Sequence, residues 1–450
     1  MYHSKKRKHI GWWIALTVAF VLLVLAAAVL AALHMSDSLV THSLPASRPA
    51  QQTVRTSSPV SVPASDDAVA ERLPPNLPDE MRAMWIAHPD WDNYDISTES
   101  AMRETAKAMF DNCKELGLNT VIVAVRPFGD ALYKSEVYPW SHLITGVQGQ
   151  DPGYDPLTVL VEEAHARGLR IEAYINPYRI SNGGMGREML SADNPAMLHP
   201  DWVREVSGGL WYDPALPEVQ QLVVHGVQEI VRGYDVDGIH FDDYFYPEGK
   251  DSAFDEDTYQ QLGQGEDRDA WRRENVNTLV RAVYEGIKQI KPDMPFGISP
   301  QGNNTNNYNM QCCDVLLWMR TPGYIDYVMP QNYWGFGYTG VNGDTRPAFE
   351  NKCTEWAGYE RSAEVRLYNG LAVYRVGFGD GGVNDQSEWY SGHNVADQIE
   401  YARGVEGFSG FALFRYGSLF ANGDVVDTGA MRNVDLAISE REAIQKLLGE

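Results

Sequence analysis

The sequence predicts an α/β fold: a parallel (β/α)8 TIM barrel, preceded by one N-terminal transmembrane helix and a disordered linker. Three observations carry this reading. From about residue 81 onward, short apolar runs alternate eight times with stretches of helical length. Polar and aromatic residues crowd just after each run, where the strands of such a barrel hand over to its functional loops. Before residue 79 there is instead one long apolar segment, followed by one rich in Ser, Thr and Pro.

Taken in order, residues 1–9 form a basic foot with Lys5, Lys6, Arg7 and Lys8, and no acid precedes Asp37. Residues 10–33 are apolar and uncharged, and about 20 such residues span a bilayer core as a helix. Trp12 and Trp13 stand at the start of the run, where indoles favour the headgroup level, and the cations ahead of it hold the N-terminus inside. This predicts a single-pass cell-membrane protein with the rest of the chain outside. A cleaved signal peptide is the competing reading, supported by the Ala-rich stretch over 26–32. Residues 34–78, with Pro45, Pro49, Pro59, Pro63, Pro74 and Pro75, lack the periodicity to bury a face and read as an extended tether.

The barrel is expected over 79–450. Its strands are predicted at 82–87, 120–125, 170–175, 238–242, 296–299, 327–330, 366–372 and 410–414. The helices between and after them are predicted near 98–117, 156–168, 217–233, 270–290, 312–320, 347–363, 394–405 and 433–448.

The chain carries 37 Lys plus Arg against 61 Asp plus Glu, a net charge of -24, and without the four cations of the foot the balance is -28. That excess excludes nucleic acid or anionic lipid as the main partner, because both need clustered cations. The 12 Trp and 24 Tyr suit sugar stacking and equally suit a large core. Of the four cysteines, Cys312 or Cys313 could bridge to Cys353 or Cys113 outside the cell, or all four are small buried thiols. No Cys/His spacing points to zinc, and the acidic loop over 251–257 reads as solvated surface.

The residues after each predicted strand define the site. They are His88, Asp90 and Trp91; Arg126 and Asp130; Asn176, Tyr178 and Arg179; then His240, Asp242, Asp243 and Tyr244. Gln301 and Asn303, Gln331, Tyr333 and Trp334, Tyr374, and Arg415 and Tyr416 complete the ring. Side chains alternate along a strand. If His240 points into the barrel, so does Asp242, and Asp243 turns away unless the strand has ended. A fixed carboxylate there suits glycosidic chemistry, whose transition state is oxocarbenium-like and usually needs a second carboxyl as proton donor.

Several blocks resemble the family-10-like glycosyl hydrolases of bacteria. They are RAMW at 82–85, NTVIVAVRPFGDALY at 119–133 with YPW at 138–140, DPGYDP at 151–156, NPYR at 176–179, LW at 210–211 and DVDGIHFDDYFYP at 235–247. The resemblance covers 79–450 and implies a catalytic barrel cleaving a cell-wall polysaccharide, most simply peptidoglycan glycan. The stretch at 237–244 is also similar to the fourth-strand motif of chitinase-type barrels. Laid on that motif, His240 and Asp242 take the inner acidic positions and Tyr244 falls where the catalytic Glu would be. Chitinase-type enzymes use the substrate N-acetyl group as nucleophile, which would leave Asp242 to orient the acetamide and the acid to come from elsewhere.

Asp130 is the first choice for that acid and Asp243 the second, while Glu172, two steps deeper on the third strand, is placed to orient His240. Arg126 and Arg179 would contact sugar oxygens or pair with carboxylates. Tyr178, Tyr333, Trp334 and Trp211 are stacking candidates, with Asn176, His240, Tyr244 and Gln331 as further substrate contacts. The chemistry calls for no metal or cofactor. Two other readings stand. One is a non-catalytic wall-binding scaffold, motivated by Tyr244 in the Glu position. The other is a hydrolase of an exopolysaccharide such as poly-N-acetylglucosamine.

Overall fold

A computed structural model describes residues 73–449, except 252, 422–426, 428 and 432. The basic foot, the anchor and all of the tether up to residue 72 lie outside the described residues. Among those described, no helix is long and apolar enough to cross a membrane.

All eight predicted strands form. They are β1 (Met81–Ile86), β2 (Thr120–Arg126), β3 (Arg170–Ile175), β6 (Gly238–Phe241), β7 (Phe296–Ile298), β8 (Tyr327–Val328), β9 (Arg366–Leu371) and β10 (Phe408–Leu413). Each pairs in parallel with its neighbours, and β1 pairs with both β2 and β10, so the sheet closes into a barrel. Closure leaves no open edge. The remaining strands, β4 (Val203–Val206) and β5 (Gly209–Tyr212), form an antiparallel hairpin outside the barrel. Its two-residue turn puts Ser207 at φ 52 and Gly208 at φ 77, both in the left-handed region that tight hairpins favour. The Ser-Gly-Gly run at 207–209, between Val206 and the apolar Leu210-Trp211-Tyr212, was the sequence signal for it.

Helices start where polar side chains can take up free amide groups. Asp155 accepts from the amides of Leu157 and Thr158 ahead of the helix Pro156–His165. Asp267 accepts from Ala270 ahead of Arg268–Lys288, and Thr98 accepts from Ala101 ahead of Glu99–Glu115.

Two cores result from strand alternation. Outward residues such as Val121, Val123, Ile171, Ile239, Phe296 and Leu367 pack under the helices. Inward residues form a separate cluster in the barrel axis that includes Trp85, Ile122, Tyr174, Tyr327, Met329 and Tyr368. Large rings fit there because facing positions are small. A Cβ on Gly297 would lie 1.9 Å from the Tyr327 ring, one on Gly370 would lie 3.2 Å from Trp85, and one on Gly238 would meet the Glu172 carboxyl at 2.9 Å. The axis is therefore filled, as expected for a barrel of this size.

The four cysteines are all free and buried, so the expected bridges do not form and the buried-thiol reading holds. Burial also pushes the Cys313 thiol well up. The loop over 251–257 is not merely solvated. Asp255 is fully buried and takes a forked pair of hydrogen bonds, 2.6 and 2.7 Å, from Arg272.

Gly410 has φ 135, and a Cβ there would sit 2.0 Å from the Met81 carbonyl oxygen, at the seam where β10 meets β1. Backbone cannot step aside as a side chain can. Gly410→Ala is expected to cost about 3 kcal/mol in chemical denaturation, from strain plus overpacking. Gly358→Ala, at an open helix end, should change stability by under about 1 kcal/mol.

Candidate active site

Strand β6 stops at Phe241, and this stop decides the site. Past the end of a strand, alternation no longer sends neighbouring side chains to opposite faces, and both Asp242 and Asp243 gather at the carboxyl end of the barrel. Asp242 is the better held. The Tyr174 hydroxyl donates to Asp242 Oδ2 at 2.5 Å, and Gln331 Nε2 donates to Oδ1 at 2.7 Å. The Ser299 hydroxyl donates to the same Oδ1 at 3.2 Å, and the Asp243 amide adds a further donor. Asp243 has fewer partners and is part-exposed, with Gln311 Nε2 donating to Oδ2 at 3.2 Å.

Both carboxyls are pushed up, first by burial, which penalises charge. Asp243 is raised to about 8, with repulsion from Asp242 as the second cause. Two adjacent carboxylates in a dry site share one negative charge rather than carry two. The donors gathered on Asp242 draw the charge there and leave the proton on Asp243. At pH 7 a group of pKa 8 is protonated in roughly nine molecules of ten.

Beside Asp243 opens a cavity of about 320 Å³, lined by Tyr244, Trp211, Glu248, Gln301 and Gln311 among others. That falls in the range of about 300–1,000 Å³ usual for small-ligand sites. The hairpin β4–β5 delivers Trp211, whose ring lies 6.2 Å from that of Tyr244. The Arg179 guanidinium covers the Tyr244 ring at 4.6 Å. Beyond the pair, Tyr333, Tyr374 and Phe414 form an aromatic wall with centroids 5.8 to 6.1 Å apart.

The site has the parts of a sugar-cleaving centre: two carboxyls of unlike protonation at the end of one barrel strand, beside a cavity walled by aromatic rings. The pattern of the family described as glycosyl hydrolase-like 10 matches residues 80–391. This chain belongs to the glycosyl hydrolase-like 10 family. It is 36% identical over 375 residues to Glycosyl hydrolase YngK of Bacillus subtilis (strain 168), covering 78% of this chain and 70% of that protein. It is also 36% identical over 372 residues to Glycosyl hydrolase DigH of Escherichia coli (strain K12), covering 74% of this chain and 82% of that one. Among solved structures, it resembles the PgaB (BpsB) glycoside hydrolase domain from Bordetella bronchiseptica. That match has a TM-score of 0.51 at 12% identity and covers 81% of this chain and 99% of that one. The catalytic domain of β-amylase from Paenibacillus polymyxa gives a TM-score of 0.51 at 12% identity, over 82% of this chain and 99% of that chain. These two likenesses show the fold.

As a glycoside hydrolase of this family, the protein brings together Asp242, Asp243, Tyr244, Arg179, Trp211 and Gln331. Tyr333 joins them through the aromatic wall, and Trp334 lies part-exposed on the same loop with its ring 6.3 Å from Tyr338. Other expected substrate contacts are drawn beneath the loops. Arg126 is buried and donates to the carbonyls of Phe128, Asn176 and Pro177. The β2–β3 ladder slips between Ala124 and Arg126. The slip breaks the alternation, and the Arg126 guanidinium lies over Tyr138, 4.7 Å from the ring centre. Asn176 is buried and donates to the Pro127 carbonyl, while Tyr178 is fully buried. His240 is fully buried one layer below Asp242, and burial lowers it to about 3, so the ring is neutral.

Tyr174, Ser299 and Gln311 escaped the sequence reading as carboxylate partners. Tyr174 and Ser299 were visible as inward positions at strand ends. Gln311 follows the short helix Asn304–Asn309 and carries no local signal.

Asp130 is fully buried and is not among the residues lining the cavity. Its Oδ2 meets His142 Nδ1 at 2.7 Å and accepts from Gln148 Nε2 at 3.0 Å. Gln148 Oε1 in turn accepts from the Ser191 amide and Asn194 Nδ2. Asp130 thus ties loops together. Asp130→Ala should lower the unfolding free energy by about 3 kcal/mol, read by urea denaturation. The kcat of the enzyme that remains folded should stay within about tenfold of the original, a smaller loss than removal of a general acid produces.

Proposed function

We propose that the protein hydrolyses glycosidic bonds in a bacterial cell-wall glycan containing N-acetylhexosamine, most simply peptidoglycan strands. In this reading Asp243 is the proton donor and Asp242 the fixed carboxylate. The observation that carries it is the unequal pair. Asp242 is surrounded by donors that hold its charge, and Asp243 keeps a proton near neutral pH while facing the cavity.

The roles follow from the chemistry. As the bond between the anomeric carbon and the bridging oxygen breaks, Asp243 passes its proton to that oxygen, so the leaving sugar departs as an alcohol. The positive charge growing on the ring faces ionised Asp242. An acetamide on the reacting sugar would donate its N–H to Asp242, and its carbonyl oxygen would close onto the anomeric carbon. Water then opens that ring, giving its proton back to Asp243. Tyr244 is a poor acid for this step, because burial and then the neighbouring Asp243 and Asp242 push its phenol well up. Trp211 and Tyr244 would take sugar faces.

The basic foot and the uncharged run 10–33 support a single-pass anchor with the barrel outside the cell membrane. A tether of 45 residues, 34–78, would then confine the barrel near the wall and raise its effective concentration there.

The test is incubation of the full chain with purified peptidoglycan glycan strands and, separately, with poly-N-acetylglucosamine, reading reducing ends and product masses. Cleavage of the first is expected; cleavage of the second alone moves the assignment to an exopolysaccharide, and no reducing ends from either overturns it. Asp243→Asn and Asp242→Asn should each lower kcat by about 10²–10⁴-fold while still binding glycan. The profile of kcat/KM against pH should be a bell. Asp243 must be protonated, so activity falls as pH rises through about 8. Asp242 must be ionised and is itself raised, so the acid limb lies above the ordinary carboxylate range. A profile flat from pH 6 to 9 would remove Asp243 from the acid role.

A further inference from the structure

Beneath the carboxylate pair a chain of side chains descends the barrel axis. His240 Nε2 lies 3.3 Å from the Trp85 indole nitrogen and 3.0 Å from Ser299 Oγ. His240 Nδ1 lies 2.7 Å from the Tyr327 hydroxyl, which donates to Glu172 Oε2. All five side chains are buried. The hydrogen-bond directions are determined by chemistry. An indole N–H only donates, so His240 Nε2 is an acceptor and the proton of the neutral ring sits on Nδ1. That N–H donates to the Tyr327 oxygen, which is able to accept because its own proton goes to Glu172.

The backbone makes room for this chain. Gly238 lies against the Glu172 carboxyl and Gly297 against the Tyr327 ring, at separations that a Cβ would close to 2.9 and 1.9 Å. Two of the eight strands forgo a side chain where the relay passes. A layer of plain apolar residues would fill the same space without a buried acid, and burying an acid costs free energy unless its oxygens are hydrogen-bonded or its charge is paired.

We propose that Glu172 is a positioning residue for hydrolysis, acting through Tyr327 and His240 on the Ser299 hydroxyl that faces Asp242. With Nε2 unprotonated, Ser299 has two acceptors, His240 Nε2 at 3.0 Å and Asp242 Oδ1 at 3.2 Å. Its proton turns to Asp242 when that carboxylate is charged and back to His240 as the charge is spent. Without Glu172, Tyr327 is free to donate to Nδ1. The ring proton then moves to Nε2, where it opposes the Trp85 N–H and claims the Ser299 oxygen. The groups facing Glu172 are Arg170 on its own strand, Asp237 at the start of β6, Asp326 before β8, Tyr327 on β8 and Tyr368 on β9. Burial outweighs Arg170 and lifts the carboxyl to about 7, so it is about half protonated at neutral pH, and its Oε1 has no hydrogen-bond partner among the described residues while Oε2 accepts from Tyr327.

The proposal rests on the role given to Asp242, so one measurement is independent of turnover. In the full chain with 15N-labelled histidine, His240 should show a protonated Nδ1 and a bare Nε2. Glu172→Leu and Tyr327→Phe should each abolish that preference, and Glu172→Gln, which keeps an acceptor oxygen, should retain it. A proton on Nε2 in the unaltered protein, or a tautomer unmoved in both disruptive variants, overturns the relay. The second measurement is kinetic. Glu172→Leu should lower kcat about 10- to 100-fold with KM within about twofold, as for a lost hydrogen bond to a charged group. It should also raise the acid limb of the pH profile by about one unit, because Asp242 loses a donor to its charged form. Ser299→Ala should reproduce both effects, and the double variant should be no worse than Ser299→Ala alone. Additive losses with an unmoved acid limb would reduce Glu172 to a structural role. A wild type that cleaves no glycan would sink the functional reading, while the histidine spectrum would still decide the relay.

Discussion

Four aromatic side chains, Trp85, Tyr174, Tyr327 and Tyr368, fill the axis of the barrel, with Gly297 opposite Tyr327 and Gly370 opposite Trp85. The rest of the structure depends on that packing. A strand position without a Cβ lets a ring cross the axis and leaves no channel for water. The carboxyl end of the barrel therefore stands on a dry floor. Charges placed there lose most of their hydration, and their protonation is governed by the few hydrogen bonds in reach.

The unequal fates of Asp242 and Asp243 follow from this. Burial raises both, and their mutual repulsion removes any arrangement with two full charges. The donors decide which one keeps the charge. Tyr174 comes from β3, Ser299 follows β7, and Gln331 follows β8. Asp242 is thus held from three sides, while Asp243 faces the cavity and leans on Gln311. This chain carries Tyr244 at the position matching the Glu of a chitinase-type barrel, and its raised carboxyl, Asp243, stands one residue earlier.

The loops around the floor are anchored by buried ion pairs and backbone bonds. Arg415, after β10, donates to Asp90, after β1, and to Asp427. The Gly417 and Ala87 amides also donate to Asp90. These contacts fasten the rim across the seam where the barrel closes. Arg126 does the same beneath the β2 and β3 loops. Such pairs add less net stability than their count implies, since each charge gave up water to form them. Their effect is geometric: they fix the loops after β1, β2, β3 and β10 that form this rim.

Much of the architecture was legible from residue order. Eight apolar runs separated by helix-forming stretches permit few arrangements, because parallel strands need crossovers and crossovers are right-handed. The polar residues after those runs marked the rim where Asp242 and Asp243 gather, and the family blocks singled out the strand carrying Asp242. These features are local in sequence, so periodicity and strand-end position suffice to read them. The roles of individual side chains were not local. Arg126, Asn176 and Tyr178 looked like sugar contacts because they follow strands, yet a one-residue slip in the β2–β3 ladder and the loops above bury them. Residue order put Asp130 ahead of Asp243 as the acid, yet Asp130 is buried away from the cavity that Asp243 lines. A proton's position depends on water and on neighbours dozens of residues away. Sequence determined that carboxylates would stand on one rim of a barrel. Only the tertiary structure decided which of them keeps its proton, because desolvation and hydrogen bonding are properties of the packed surroundings.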